Sequence, residues 1–207
     1  MTGDRQPQLT ARGRATRERI VRAAAELMFT QGVTRTSIED VRVKAEVSGS
    51  QMSHYFADRA CLVRAVIAWQ ADAVVRYHTS TPLGGLDSFE SLRLWAETQV
   101  KLQSDRAFQG GFGYGALAGQ LADADEETRA HLAAGFERWL TVIEAGLRAM
   151  RIRGELRPEA DPRTLALGLV AAFQGGVLLA QISRDPQPLA SALEAAVNHV
   201  ESFAAHR

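Results

Sequence analysis

The run Gly49-Ser50-Gln51-Met52-Ser53-His54-Tyr55 carries the side chains with the plainest chemical use in this sequence. The Gln51 amide can donate and accept at once, which fits the major-groove edge of adenine. Gly49, Ser50 and Ser53 are small enough to let a helix approach bases closely, and His54 and Tyr55 add hydrogen-bonding groups. Upstream, Thr36 and Ser37 offer hydroxyls and backbone N–H groups suited to phosphate. Arg59 follows the run, and Arg14 and Arg17 precede it. This is the chemistry of nucleic-acid recognition. Catalytic arrangements are much weaker, and no enzyme is expected. Gly113-Tyr114-Gly115-Ala116-Leu117-Ala118 fits a loose dinucleotide pattern, but no strand precedes it. His54 and Cys61 have no evident orienting partner, and the five histidines are too scattered to hold a metal. No cofactor and no metal are expected.

The elements that must position these residues are helical. Apolar residues recur at three- and four-residue spacing throughout, and strand signals are nearly absent. The pattern predicts an all-α chain of about nine helices. The first runs from about Arg14 to Gln31, with Ile20, Ala23, Ala24, Leu27 and Met28 inward and Gly32 as its stop. Thr36 or Ser37 caps a short second helix to Ala45, Ser48 caps a third to about Tyr55, and Asp58 caps a fourth to about Tyr77. Thr81-Pro82-Leu83-Gly84-Gly85 is a break. A fifth helix spans about Ser88 to Ser104, with Phe89, Leu92, Trp95, Ala96 and Leu102 inward. Gln109 to Gly115 reads as irregular before a short sixth, and a seventh spans about Asp125 to Arg153. Asp161-Pro162 opens the eighth, and Leu189 to Phe203 forms the ninth. The expected domains are a disordered arm (1–11), a helix-turn-helix domain (12–60) and a ligand-binding and dimerisation domain (61–207).

Charge agrees with this division. The 207 residues carry no formal net charge, yet residues 1–60 hold ten Lys/Arg against seven Asp/Glu. A basic end on a neutral chain suits one DNA-facing module on a body with another task. Lone Cys61 forbids an intrachain disulfide and fits a reducing cytoplasm. The first eight residues lack an apolar core, so no signal peptide is expected. Thr164 to Ile182 is free of charge and long enough to span a bilayer. Gln174, Gln181 and Gly175-Gly176 favour a buried helix instead, and no membrane partner is expected.

Residues 16–62 resemble the DNA-binding domain of the TetR family. The resemblance is carried by Ala23-Ala24-Ala25-Glu26-Leu27, Phe29, Gly32, Thr36-Ser37-Ile38, Ala45-Glu46-Val47-Ser48, His54-Tyr55-Phe56, Arg59 and Leu62, in order and without a gap. It implies a dimeric repressor that binds a palindromic operator on double-stranded DNA. There are departures: Glu46 stands where the turn glycine is usual, Arg42 where a small residue is usual, and Ser53 where an aromatic is common. A non-glycine residue in a left-handed turn costs on the order of 1 kcal/mol.

The C-terminal body is expected to serve two purposes. The eighth helix is apolar nearly all round, and with the ninth it suggests a homodimer interface of Leu169, Ala172, Gly176, Leu179, Leu193, Val197 and Val200. Trp69, Trp95, Phe108, Phe112, Tyr114, Trp139 and Phe173 could line one apolar cavity for a small-molecule effector. The region is also similar to the LmrA/YxaF-like repressors, through Gly111, Gly115-Ala116-Leu117-Ala118, Phe136, Trp139, Gly154-Glu155-Leu156-Arg157-Pro158, Asp161-Pro162, Gly175 and Leu178-Leu179. That likeness implies an aromatic or drug-like ligand. Phe112-Gly113-Tyr114 replaces the subgroup's Cys-Pro-Leu. The competing reading is a helical ligand-binding or adaptor protein whose DNA binding is weakened by Arg42 and Glu46.

Overall fold

The computed structural model describes residues 9–80, 85–108 and 113–205. Among these, the chain forms nine α-helices and one isolated antiparallel bridge, Leu156 with Ala204. It divides into two compact units, with the boundary after Trp69.

The first unit holds α1 (Ala11–Gln31), α2 (Ile38–Lys44), α3 (Gly49–Tyr55) and the start of α4 (Arg59–Ser80). Thr10 caps α1 by accepting from the Gly13 N–H at 3.1 Å. The helix therefore begins three residues earlier than expected, at Ala11, the last residue of the expected arm; residues 1–8 lie outside the described residues. Gly32 ends α1 at a φ of 90° and returns its N–H to the Met28 carbonyl. Ile20, Ala23, Ala24 and Met28 are buried as expected, and Leu27 is half-buried. Ser37 and Ser48 close reciprocal capping boxes with Asp40 and Gln51. Asp58 accepts the Cys61 N–H at 2.7 Å and starts α4 as expected; these backbone bonds hold its carboxyl below the ordinary range.

The second unit holds the rest of α4, then α5 (Phe89–Asp105), α6 (Gly113–Leu121), α7 (Glu126–Ile152), α8 (Pro162–Ser183) and α9 (Gln187–Glu201). Asp125 caps α7, and Asp161 caps α8 with Pro162 at its first position. Residues 81–84 and 109–112, two of the expected breaks, are outside the described residues, but Gly113 to Gly115 belong to α6 rather than to an irregular segment.

The buried face of α5 is Leu92, Trp95, Gln99 and Gln103; Phe89, Ala96 and Leu102 are only half-buried. Two glutamines thus occupy core positions. α8 packs on α7 and α9, and it is long and apolar enough to cross a membrane by length and composition alone. Its inward face carries Leu165, Leu169, Phe173, Gly176 and Val177. Gly176 is required there: a Cβ would lie 2.9 Å from the Leu189 Cα.

Candidate functional site

The DNA-facing candidate is built on α3. Met52 and Phe56, 3% and 5% exposed, anchor the helix to its unit, and Gly49, Ser50, Gln51, Ser53 and His54 are left exposed together. Tyr55 is half-buried, its ring edge-on to His54 at 4.9 Å. The two anchors are spaced four apart, so the polar residues between and before them share the outer face. Arg17 lies over the Phe56 ring at 5.2 Å, and Arg14 donates to the Leu9 carbonyl at 2.7 Å.

Several expected contacts are rearranged. Thr36 is buried, and its hydroxyl donates to the Gly32 carbonyl at 2.9 Å, so it turns away from any phosphate. Ser37 donates both its N–H and its hydroxyl to Asp40, at 2.9 and 2.6 Å. That carboxylate already fills the start of α2, and its pKa is lowered by the same bonds. Arg59 reaches inward to the Val33 and Thr36 carbonyls, at 2.5 and 3.4 Å, where it ties α4 to the α1–α2 connection. The Gln51 amide oxygen accepts the Ser48 N–H at 2.9 Å. Base readout by Gln51 must share or break that bond.

Glu46 takes the left-handed turn at a φ of 52°, as its position required. Arg42 is held by bonds within the α2–α3 segment. Its guanidinium binds Glu39 and also donates to the Val47 carbonyl at 3.2 Å. Glu39 is held below the ordinary carboxylate range chiefly by that hydrogen bond. Arg19 caps the end of α2 by donating to the Ala45 carbonyl at 2.8 Å, and Lys44 pairs with Glu26 of α1 at 2.7 Å.

In the second unit the structure gathers Trp95, Trp139, Phe173 and Tyr114. Phe173 lies 5.9 Å from Trp95 and 5.7 Å from Trp139, ring centre to ring centre. Phe136, absent from the expected lining set, joins Tyr114 at 4.8 Å to Trp139 at 6.2 Å. Phe108 is buried, with its carbonyl held by Arg184 at 2.7 Å. Trp69 belongs to the first unit, and Phe112 is outside the described residues.

Sequence reasoning missed the polar members of this core. His78 is 3% exposed, and its Nε2 accepts both indole N–H groups, from Trp95 at 3.1 Å and Trp139 at 3.3 Å. Its Nδ1 lies 2.8 Å from the Val74 carbonyl, which fixes the proton there. Burial pushes the imidazole pKa down, opposed only by the Val74 bond. Gln99 donates to the Tyr77 hydroxyl at 3.1 Å. Tyr114 donates to the Leu132 carbonyl at 2.7 Å, and burial pushes its phenol up to about 12. The Gln174 Nε2 is buried without a hydrogen-bond partner among the described residues. Gln99 and Gln103 on the α5 stripe were a usable signal; the meeting of His78 with Trp139, 61 residues away, was not.

The expected interface residues divide. Leu169, Gly176, Leu193, Val197 and Val200 are buried inside the protomer, where α8 meets α9. Ala172 is half-buried, and Leu179 is 55% exposed. The outward stripe of α8 is instead Leu167, Gly168, Ala171, Gly175, Leu178, Leu179 and Ile182.

A capped supporting helix, a tight left-handed turn and a second helix with a polar outer face define a helix-turn-helix DNA-binding protein. Two family models make the class specific. One described as "Bacterial regulatory proteins, tetR family" matches residues 20–66, and one described as "Tetracyclin repressor-like, C-terminal domain" matches 89–196. The chain belongs to the TetR family of transcriptional regulators. It is 25% identical to the transcriptional regulator AcuR of Cereibacter sphaeroides over 173 residues, 83% of this chain and 79% of that one. It is 28% identical to an uncharacterized HTH-type transcriptional regulator of Mycobacterium tuberculosis, over 84% of this chain and 88% of that one. Among solved structures, regulatory protein TetR from Rhodobacter sphaeroides superposes with a TM-score of 0.75 at 22% identity, over 89% of this chain and 98% of that one. Reduced NemR of E. coli gives 0.73 at 22%, over 92% and 97%. These likenesses establish the fold.

Proposed function

We propose that the protein is a dimeric, cytoplasmic transcription repressor that holds a palindromic operator through α3 and leaves it when a small apolar or aromatic ligand binds the second unit. The observation that carries this reading is the exposed set Gly49, Ser50, Gln51, Ser53 and His54, set on a helix anchored by Met52 and Phe56. Arg14 and Arg17 flank that face as phosphate contacts, with Tyr55 at its end; Ser37 could join them only by giving up its bonds to Asp40.

A second copy is the natural cover for the outward stripe of α8. Leu178, Leu179 and Ile182 are 57%, 55% and 72% exposed, and Gly168, Ala171 and Gly175 let another helix approach closely. Two-fold symmetry then pairs two α3 helices with two half-sites.

We infer that the ligand enters the aromatic core of the second unit. Binding sites combine apolar walls with a few converging polar groups. Trp95, Trp139, Tyr114 and Phe173 supply the walls, and the Gln174 Nε2, without a partner among the described residues, supplies a donor. An aromatic or drug-like effector, as in the LmrA/YxaF-like subgroup, suits those walls. α4 runs through both units and is the element whose shift would respace the half-sites. The left-handed Glu46 and the Arg42–Val47 bond support the DNA-binding reading over an adaptor with weakened DNA binding.

The test is a reporter promoter carrying the duplex that the protein selects from a random-sequence pool. Expression should fall when the protein is present. Unchanged expression contradicts a regulatory role at that site, and a rise assigns activation instead.

A further inference from the structure

We propose that Arg42, aimed by Glu39, is the positioning residue of the recognition helix: it holds both backbone polar groups of Val47, and so fixes the direction in which α3 leaves the turn. The proposal rests on the reading of α3 as the DNA-reading helix.

The turn from α2 to α3 consists of Ala45, Glu46, Val47 and Ser48. Ala45 and Glu46 return their N–H groups to Val41 and Val43, at 2.8 and 3.1 Å, so the end of α2 is closed by ordinary local bonds. Glu46 then reverses the chain in the left-handed region without a glycine's freedom. Val47 is the last residue before the α3 cap, and it is 4% exposed. Its N–H donates to the Arg42 carbonyl at 3.2 Å, and its carbonyl accepts from Arg42 Nη1, also at 3.2 Å. One residue of α2 therefore grips the peptide groups on both sides of the Val47 Cα. Two bonds on one residue fix its rotation as well as its distance, and that rotation sets the axis of the helix that starts at Gly49.

The guanidinium is itself held in plane. Glu39 accepts from Arg42 Nε at 2.8 Å and from Nη2 at 2.5 Å, a fork that leaves Nη1 directed at Val47. Only a guanidinium can do this; a lysine ammonium lacks the rigid fork. Arg42 is thus committed to the turn. It is not a phosphate contact, and its charge is neutralised locally by Glu39.

The experiment measures affinity of the full-length protein for the duplex it selects from a random-sequence pool, across a salt series, with thermal melting to confirm folding. Arg42→Ala should weaken binding roughly tenfold, the scale of one misaligned base contact. The slope of log affinity against log salt should not change. Glu39→Gln keeps the Ser37 cap and should also weaken binding severalfold. A phosphate role for Arg42 predicts the opposite on both counts: a slope flattened by about one ion, and tighter binding when the Glu39 charge is removed. Glu46→Gly added to Arg42→Ala should restore much of the affinity, because glycine takes the turn without strain. Wild-type affinity in folded Arg42→Ala, or tighter binding by Glu39→Gln, overturns the proposal. Failure of the wild type to enrich any sequence instead overturns the reading of α3 and the proposal with it.

Discussion

The Nε2 of His78 accepts the indole N–H of Trp95 at 3.1 Å, and the same nitrogen serves Trp139 at 3.3 Å. One lone pair thus satisfies two buried donors, and it ties α4 to α5 and α7. His78→Leu fills similar space but removes the acceptor that both indoles use. The expected loss is about 2–6 kcal/mol, from roughly 1–3 kcal/mol for each of two buried groups that lose this acceptor. His78→Gln retains an acceptor oxygen and should lose less than half as much. Denaturant unfolding followed by tryptophan fluorescence measures both; equal losses would refute the shared-acceptor account.

The same geometry sets a pH dependence. Burial lowers the His78 pKa below its ordinary 6.5, so the unfolded chain binds the proton first. Stability from this group is present above about pH 6.5 and is lost as pH falls toward the lowered folded value. Midpoints of urea unfolding should begin to fall as pH drops below about 6.5, before carboxylates titrate. The His78→Gln variant should be flatter across that window, and an identical fall in the variant would assign the effect to other groups.

Close backbone packing in the second unit is tested at glycines. A Cβ on Gly146 would lie 2.4 Å from the Gly85 carbonyl oxygen and 2.5 Å from that of Leu86. Backbone atoms cannot swing aside, so Gly146→Ala should cost about 1–3 kcal/mol. Gly119 is also helical, with open space at its Cβ position. Gly119→Ala should be neutral or stabilising by up to about 1 kcal/mol. Thermal melting ranks the two, and the reverse ranking would contradict the packing.

The outward stripe of α8 predicts an oligomer. Leu179→Glu places a charge among Leu178, Ile182 and their copies, yet leaves the inward face untouched. Sedimentation should show a dimer for the wild type and a monomer for the variant, with operator affinity falling alongside. A wild-type monomer, or a variant that remains dimeric, would place any interface elsewhere.

Much of the fold was legible because its signals are local. Ser48, Asp58 and Asp161 start the helices they were expected to start, since a capping oxygen reaches only two or three residues. The outer face of α3 was legible from two anchors four residues apart. What stayed hidden was long-range or symmetric. α8 is apolar on every side, so its sequence gave no indication of which face turns inward, and five of seven expected interface residues pack inside the protomer. Thr36 and Arg59 have the right chemistry for phosphate, but the α1–α2 connection uses their bonds first. Arg42 could be read as an intruder in the turn; only its distance to Val47 shows it as the clasp.

The central claim is that α3 reads DNA sequence. Its most direct measurement is binding of the protein to its selected duplex and to a scrambled copy, titrated in salt, for the wild type and for Gln51→Ala. The account predicts tight binding to the selected duplex alone, a steep loss of affinity with rising salt, and a selective loss in the variant. Equal, weak affinity of the wild type for both duplexes would contradict it.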